Sequence, residues 1–222
     1  MSKRILAIFP HPDDESYSKA GALALHAQQG DDITLICATS GQMGRRMGKP
    51  FFANRETLPL IREKELKAAC ENIGISDLRL WRLQDKTLQF EDPEELANKI
   101  ELIIHEINPH IVYTHYPKLG VHPDHDALSH AAVLAVKRLP VNKRPVIYGS
   151  ALVKDREKLL GKPTIELNLN EQLLKIKLEA LRAHRTQTEY MLKKIEQDPE
   201  NKDQILSAHR IEKFWIYPVD AS

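Results

Sequence analysis

Two short segments of this chain carry most of the side chains able to do chemistry. One is Pro10-His11-Pro12-Asp13-Asp14-Glu15; the other runs from Tyr116 to Asp126 and contains His122-Pro123-Asp124-His125. Each crowds imidazoles and carboxylates into a few residues. Zinc takes neutral imidazole and carboxylate ligands, and a catalytic zinc site keeps one position open for water or substrate. His11, Asp14 and His125 supply such a set of two histidines and one carboxylate. Asp13, beside a ligand but pointing elsewhere, is then the base that takes a proton from the attacking water. His122, protonated, can stabilise an oxyanion and later give a proton to a leaving amine, with Asp124 orienting its ring.

A plainer reading competes. His-Pro-Asp is often a turn, and a lone aspartate at such a place is more often a helix cap than a ligand. Two such clusters at corresponding places in one fold favour the metal. His26, His105, His110, His130 and His209 lie outside the clusters and read as surface or packing residues, while His115 stays open between the two roles.

The elements that must position these groups follow from periodicity. Apolar runs at 4–9, 33–38, 78–83 and 111–115 read as strands, each followed by a helical pattern, which is the rhythm of a parallel, doubly wound sheet. The helix near 60–73 ends at Gly74, and the next begins with Asp92 as cap, Pro93 in its first position and Glu95 completing a capping box. A helix at 126–139, strands at 146–152 and 164–169, a helical stretch at 170–195 interrupted near 184–186, a last helical stretch and a strand at 214–218 complete the chain. The expected fold is α/β: a single Rossmann-like domain, residues 1–222, with a mainly parallel sheet flanked by helices. Open sheets of this kind bind ligands where their strands end, and both clusters directly follow strands. A nucleotide-binding turn would need glycines after the first strand, whereas the first glycine beyond it is Gly21.

Composition excludes several classes of function. A hydrophobic share of 42%, a charged share of 28% and a net charge of +1 fit a compact globular protein, and the Lys and Arg residues form no stripe for nucleic acid. The apolar run 5–9 is too short for a secretory signal, and no run is long enough to span a membrane. Cys37 and Cys70 offer no disulfide framework and read as reduced core residues, so a cytoplasmic setting is expected. The partner is then a small molecule.

The motifs HPDDE at 11–15 and HPDH at 122–125 closely resemble those of the PIG-L/LmbE family of zinc-dependent N-acetylglucosaminide deacetylases, and the order of elements matches over nearly the whole chain. The resemblance implies zinc ligation by His11, Asp14 and His125, a general base in Asp13 and transition-state stabilisation by His122. It also implies sugar contacts for Arg62 and Asp85, for which a surface salt bridge is the alternative. Segment 183–187, AHRTQ, is similar to a family segment near the active site, with no role evident for it. The loop 40–53 and the residues after it, MGRRMGKPFFANRETLP, look like the second type of bacillithiol-biosynthesis deacetylase, acting on N-acetylglucosaminyl malate. On that reading at least one of Arg45, Arg46 and Lys49 pairs with the malate carboxylates, a task arginine suits; a solvated loop is the alternative. Members of the family are often homo-oligomers, and nothing in the sequence counts subunits. Another acetylated amino sugar or small amide, a metal-dependent phosphohydrolase and a carbohydrate-binding protein without activity are the competing functions.

Overall fold

Strand β1 (Arg4–Phe9) lies inside the sheet, and its sequence says why. Ile5, Leu6, Ala7, Ile8 and Phe9 are all buried, so both faces of the strand must be covered. In the computed structural model, which describes residues 2–197, 206–207 and 209–221, they are. Ile5, Ala7 and Phe9 join one core layer with residues of α2 (Ala20–Gln28), α3 (Leu58–Ile73) and α7 (Glu171–Ala183). Leu6 and Ile8 join the other, with α4 (Pro93–Ile107) and α5 (Pro123–Lys137).

The remaining strands are β2 (Asp32–Thr39), β3 (Asp77–Leu83), β4 (Ile111–His115), β5 (Val146–Ser150), β6 (Ile165–Asn168) and β7 (Ile211–Ile216). They form one seven-stranded sheet in the order β3-β2-β1-β4-β5-β7-β6. All pairings from β3 to β5 are parallel, and β7 runs antiparallel to both its neighbours. The strand order reverses beside β1, whose neighbours are β2 on one side and β4 on the other, which opens a crevice beyond the carboxyl ends of β1 and β4.

Three local expectations are refined. Asp92 caps α4 by accepting from Glu94 N at 2.9 Å, but among the described residues Glu95 returns no bond, so only half of the capping box forms. The helix expected from 126 begins at Pro123, with His122 as its cap, because proline suits the first helical position and polar neighbours hide the start from periodicity. The long helical stretch breaks at His184, between α7 and α8 (Arg185–Gln197). The last helical stretch expected before β7 lies largely outside the described residues. Both cysteines are free and buried, and no helix among the described residues is long and apolar enough to cross a membrane.

Candidate metal centre and active site

The turn after β1 carries His11 to the crevice and enters the short helix α1 (Asp14–Ser18). Asp14 folds back to accept from the His11 amide through Oδ2 at 3.0 Å. From the other side, the first turn of α5 brings in His125, whose Nδ1–H donates to Gly120 O at 2.7 Å. That bond fixes the tautomer and leaves the Nε2 lone pair free for a metal. Gly120 must be glycine, since a Cβ there would meet His125 Cβ at 2.6 Å.

The three expected ligands come together. His11 Nδ1 lies 3.2 Å from His125 Nε2 and 3.5 Å from Asp14 Oδ2, and His125 Nε2 lies 3.2 Å from Asp14 Oδ1. A tetrahedral site with ligands about 2.0–2.1 Å from a zinc ion has edges of roughly 3.3–3.4 Å, close to the His11–His125 separation, while Asp14 meets the two rings through different oxygens. Other donors crowd the same place. His115 stacks on His125 with ring centres 4.0 Å apart, and its buried Nε2, 3.4 Å from Asp14 Oδ1, has no hydrogen-bond partner. Asp14, His115 and His125 form one close group of potential ligands, and His11, His122 and His125 another.

The electrostatics also favour a cation. Burial opposes charge on His11, yet hydrogen bonds to Asp124, Asp14 and Asp85 outweigh it and hold the imidazole well above its ordinary range. Burial likewise opposes the charge on Asp14, but His125 outweighs it and brings it well below the usual carboxylate range. Burial, with the nearby Lys19 ammonium adding to it, pushes His115 down to about 3, so that ring is neutral.

Asp13 borders the same cavity of about 600 Å³ as the three ligands. Burial pushes its carboxyl up to about 6, against the pull of the Arg62 guanidinium 3.1 Å away. His122 also borders the cavity, but burial, then the charges of His11 and His125, hold it below the ordinary histidine value. Its Nδ1 accepts from Asp124 N at 3.1 Å. With Nδ1 accepting from the backbone, the donor this ring offers to the cavity is Nε2–H.

The role expected of Asp124 is corrected, because its carboxylate does not orient His122. Oδ2 lies 3.2 Å from His11 Nε2 and accepts from Lys86 N at 2.7 Å, while Oδ1 accepts from Leu88 N at 3.1 Å. Asp85 reaches the same ring nitrogen, with Oδ1 3.1 Å from His11 Nε2, and its Oδ2 accepts from Met43 N at 2.8 Å. Together the two carboxylates hold the Nε2–H of His11 and leave Nδ1 for a metal. Arg62 is no surface salt bridge. It is buried, and its terminal nitrogens donate to Gly41 O at 2.8 Å, to Pro12 O and to Asp13, while Nε has no partner among the described residues. At Gly41, with φ 60°, a Cβ would collide with the guanidinium at 2.0 Å. Arg62 and Asp85, of which sugar contacts were expected, both border the cavity and are also bonded within the protein, across 21 to 74 residues of chain that sequence spacing cannot relate.

The loop after β2 separates its two arginines. Arg46 donates to Gln187 O and its own carbonyl accepts from Gln187 Nε2 at 3.1 Å. Arg45 borders the cavity, is exposed and has no hydrogen bond or ion pair among the described residues. Sequence reasoning missed Lys19 and gave no role to Glu15 within its motif or to His184 within segment 183–187; all three are buried near the site. A buried charge announces itself only through its partners, although Glu15 lies inside the HPDDE motif.

A doubly wound sheet with a His/Asp cluster at its switch point defines a candidate metal-assisted hydrolase. The chain belongs to the PIG-L family, described as GlcNAc-PI de-N-acetylase, whose model matches residues 6–136, and it is an N-deacetylase of that family. It is 51% identical, over 98% of its length and 99% of the relative's, to the probable N-acetyl-alpha-D-glucosaminyl L-malate deacetylase 2 of Bacillus cereus. Among solved structures it resembles the N,N'-diacetylchitobiose deacetylase of Pyrococcus horikoshii, with a TM-score of 0.73 and 21% identity over 98% of this chain and 85% of that one. It also resembles the 4-carboxy-2-hydroxymuconate hydratase of Pseudomonas putida, with a TM-score of 0.69 and 18% identity over 97% of each chain. At these identities the likeness concerns the fold, and the hydratase illustrates that one fold serves different chemistries.

Proposed function

We propose that this chain hydrolyses the acetamide of N-acetylglucosaminyl malate to glucosaminyl malate and acetate, as a step of bacillithiol biosynthesis, using zinc held by His11, Asp14 and His125. The observation that carries the reaction is the approach of these three side chains to one another, 3.2–3.5 Å pair by pair with Asp14 using both its oxygens, beside a cavity that Asp13 also borders. The 51% identity to a protein named for the malate conjugate supports the choice of substrate.

When bound, the ion supplies Lewis acidity toward the acyl carbonyl and the attacking water. The chain's own residues do the rest. Asp13 accepts a proton from the water as its oxygen bonds the acyl carbon, and hands that proton to the amine nitrogen as the C–N bond breaks. His122, with Nε2–H as its donor, hydrogen-bonds the oxyanion of the tetrahedral intermediate. Arg62 aims the Asp13 carboxylate, and Asp85 and Asp124 orient His11.

In the loop, Arg45 offers an unpaired guanidinium to a malate carboxylate, a role its two-pronged geometry fits, whereas Arg46 holds the loop to Gln187. The test is to incubate the zinc-loaded protein with a panel of N-acetylglucosaminides that includes the malate conjugate, and to follow acetate by mass spectrometry. Acetate release fastest from the malate conjugate is the expected result. Faster release from a neutral glycoside moves the assignment to another amino sugar, and no release from any member ends it.

A further inference from the structure

Segment 183–187 places only Gln187 on the cavity, yet its histidine reaches the catalytic turn from behind. His184 closes α7 and is wholly buried. Its Nε2 donates to Glu15 Oε1 at 2.6 Å, and Glu15, 1% exposed, accepts the Asp13 amide on its other oxygen at 3.0 Å. Ser16 Oγ donates to the first oxygen as well, so the bond to the Asp13 amide is what the second oxygen adds. Its significance lies in the backbone it grips: Asp13 has φ 114° and ψ −23°, in the left-handed half of the map that favours glycine. A conformation of this kind costs about 1–3 kcal/mol and persists only where its surroundings over-determine it.

Two sets of contacts do so. Arg62, from α3, holds Pro12 O and the Asp13 carboxylate, while Glu15 holds the Asp13 amide. The His184 segment is tied to the same helix, since Thr186 donates through N and Oγ1 to the two oxygens of Glu65, at 2.7 and 2.6 Å. Glu65 lies three residues from Arg62, on the same side of α3. The break between α7 and α8 is therefore anchored to the element that carries Arg62.

We propose that His184 is a positioning residue for Asp13, holding Glu15 where it can fix the Asp13 amide and so the direction of the Asp13 carboxylate. The kinetic consequence rests on the proton-transfer role proposed above for Asp13, while the structural one does not. Two variants separate the bond from mere packing: His184→Gln keeps a donor for Glu15, and His184→Leu removes it.

The experiment is amide hydrogen exchange of the full chain, read by mass spectrometry with and without added zinc, followed by steady-state kinetics of the zinc-loaded proteins. In His184→Leu, peptides covering 11–17 should exchange about tenfold or more faster, while those from β4 and α5 keep their rates. His184→Gln should stay near wild type. His184→Leu should also lower kcat by about 10–100-fold with KM within about twofold, and should cost little more once Asp13→Asn is present. Unchanged exchange at 11–17, acceleration shared equally by β4 and α5, or an equal effect of both substitutions overturns the proposal. Should His184→Leu not fold, Glu15→Gln is judged by the same criteria. Near wild-type turnover by Asp13→Asn would remove the base assignment and leave the exchange result to decide the positioning role.

Discussion

The turn after β1 and the loop after β2 meet at the same end of the sheet and are built on opposite plans. In the turn, His11, Asp14 and Glu15 are buried, and the segment is engaged by α3 through Asp13, by α5 through Asp14 and by the α7–α8 break through Glu15. In the loop, Arg45, Arg46 and Phe51 are exposed, and the hold on the chain comes from a few bonds, among them Met43 N to Asp85, Arg62 to Gly41 O and the two links between Arg46 and Gln187. Groups that must act on a bond need positions held within a fraction of an ångström, which packed neighbours supply. Groups that choose among substrates can sit on a segment that yields, since a bound ligand can complete the site. Asp85 joins the two plans, with one oxygen on His11 and the other on the loop.

The widest break of this contrast comes from the ligands. His11→Ala, Asp14→Ala and His125→Ala should each lower bound zinc from about one per chain toward none and cut turnover on the order of a thousandfold or more. Full zinc occupancy in all three by metal analysis would move the ligand set, with His115 and His122 the nearest replacements. Next is Asp13→Asn, expected to keep zinc while kcat falls by about 100- to 10,000-fold; turnover at the wild-type rate would take the proton transfer away from this residue.

Asp85→Asn sharpens the link between the regions. It should weaken zinc affinity by about 10–100-fold, the usual scale for a partner of a ligating histidine, and accelerate proteolysis within 40–57. A change in only one of the two readouts would uncouple them. The smallest effects belong to the loop. Arg45→Ala should lower kcat/KM on the malate conjugate by about tenfold, leave a neutral N-acetylglucosaminide nearly unaffected, and lose its selectivity in high salt. Arg46→Ala should cost a few-fold on both substrates alike, as loss of a loop tether requires. The reverse pattern between the two arginines would exchange their roles.

Much of this was legible in the chain itself. Fully apolar runs such as 5–9 specify strands covered on both faces, and the alternation of strands with helical patterns specifies a mostly parallel sheet, because local periodicity reports local geometry. HPDDE and HPDH mark the ligand candidates because chemistry demands those residue types at strand ends. Tertiary structure alone decided the rest. It inserted β7 between β5 and β6, turned the Asp124 carboxylate from His122 to His11, buried Arg62 against Asp13 and brought His184 behind Glu15. In each case the partner lies far away in sequence, and a polar side chain enters the interior only where such a partner awaits it. Residue type declares what a group can bond; the packing of distant elements chooses which bond it makes.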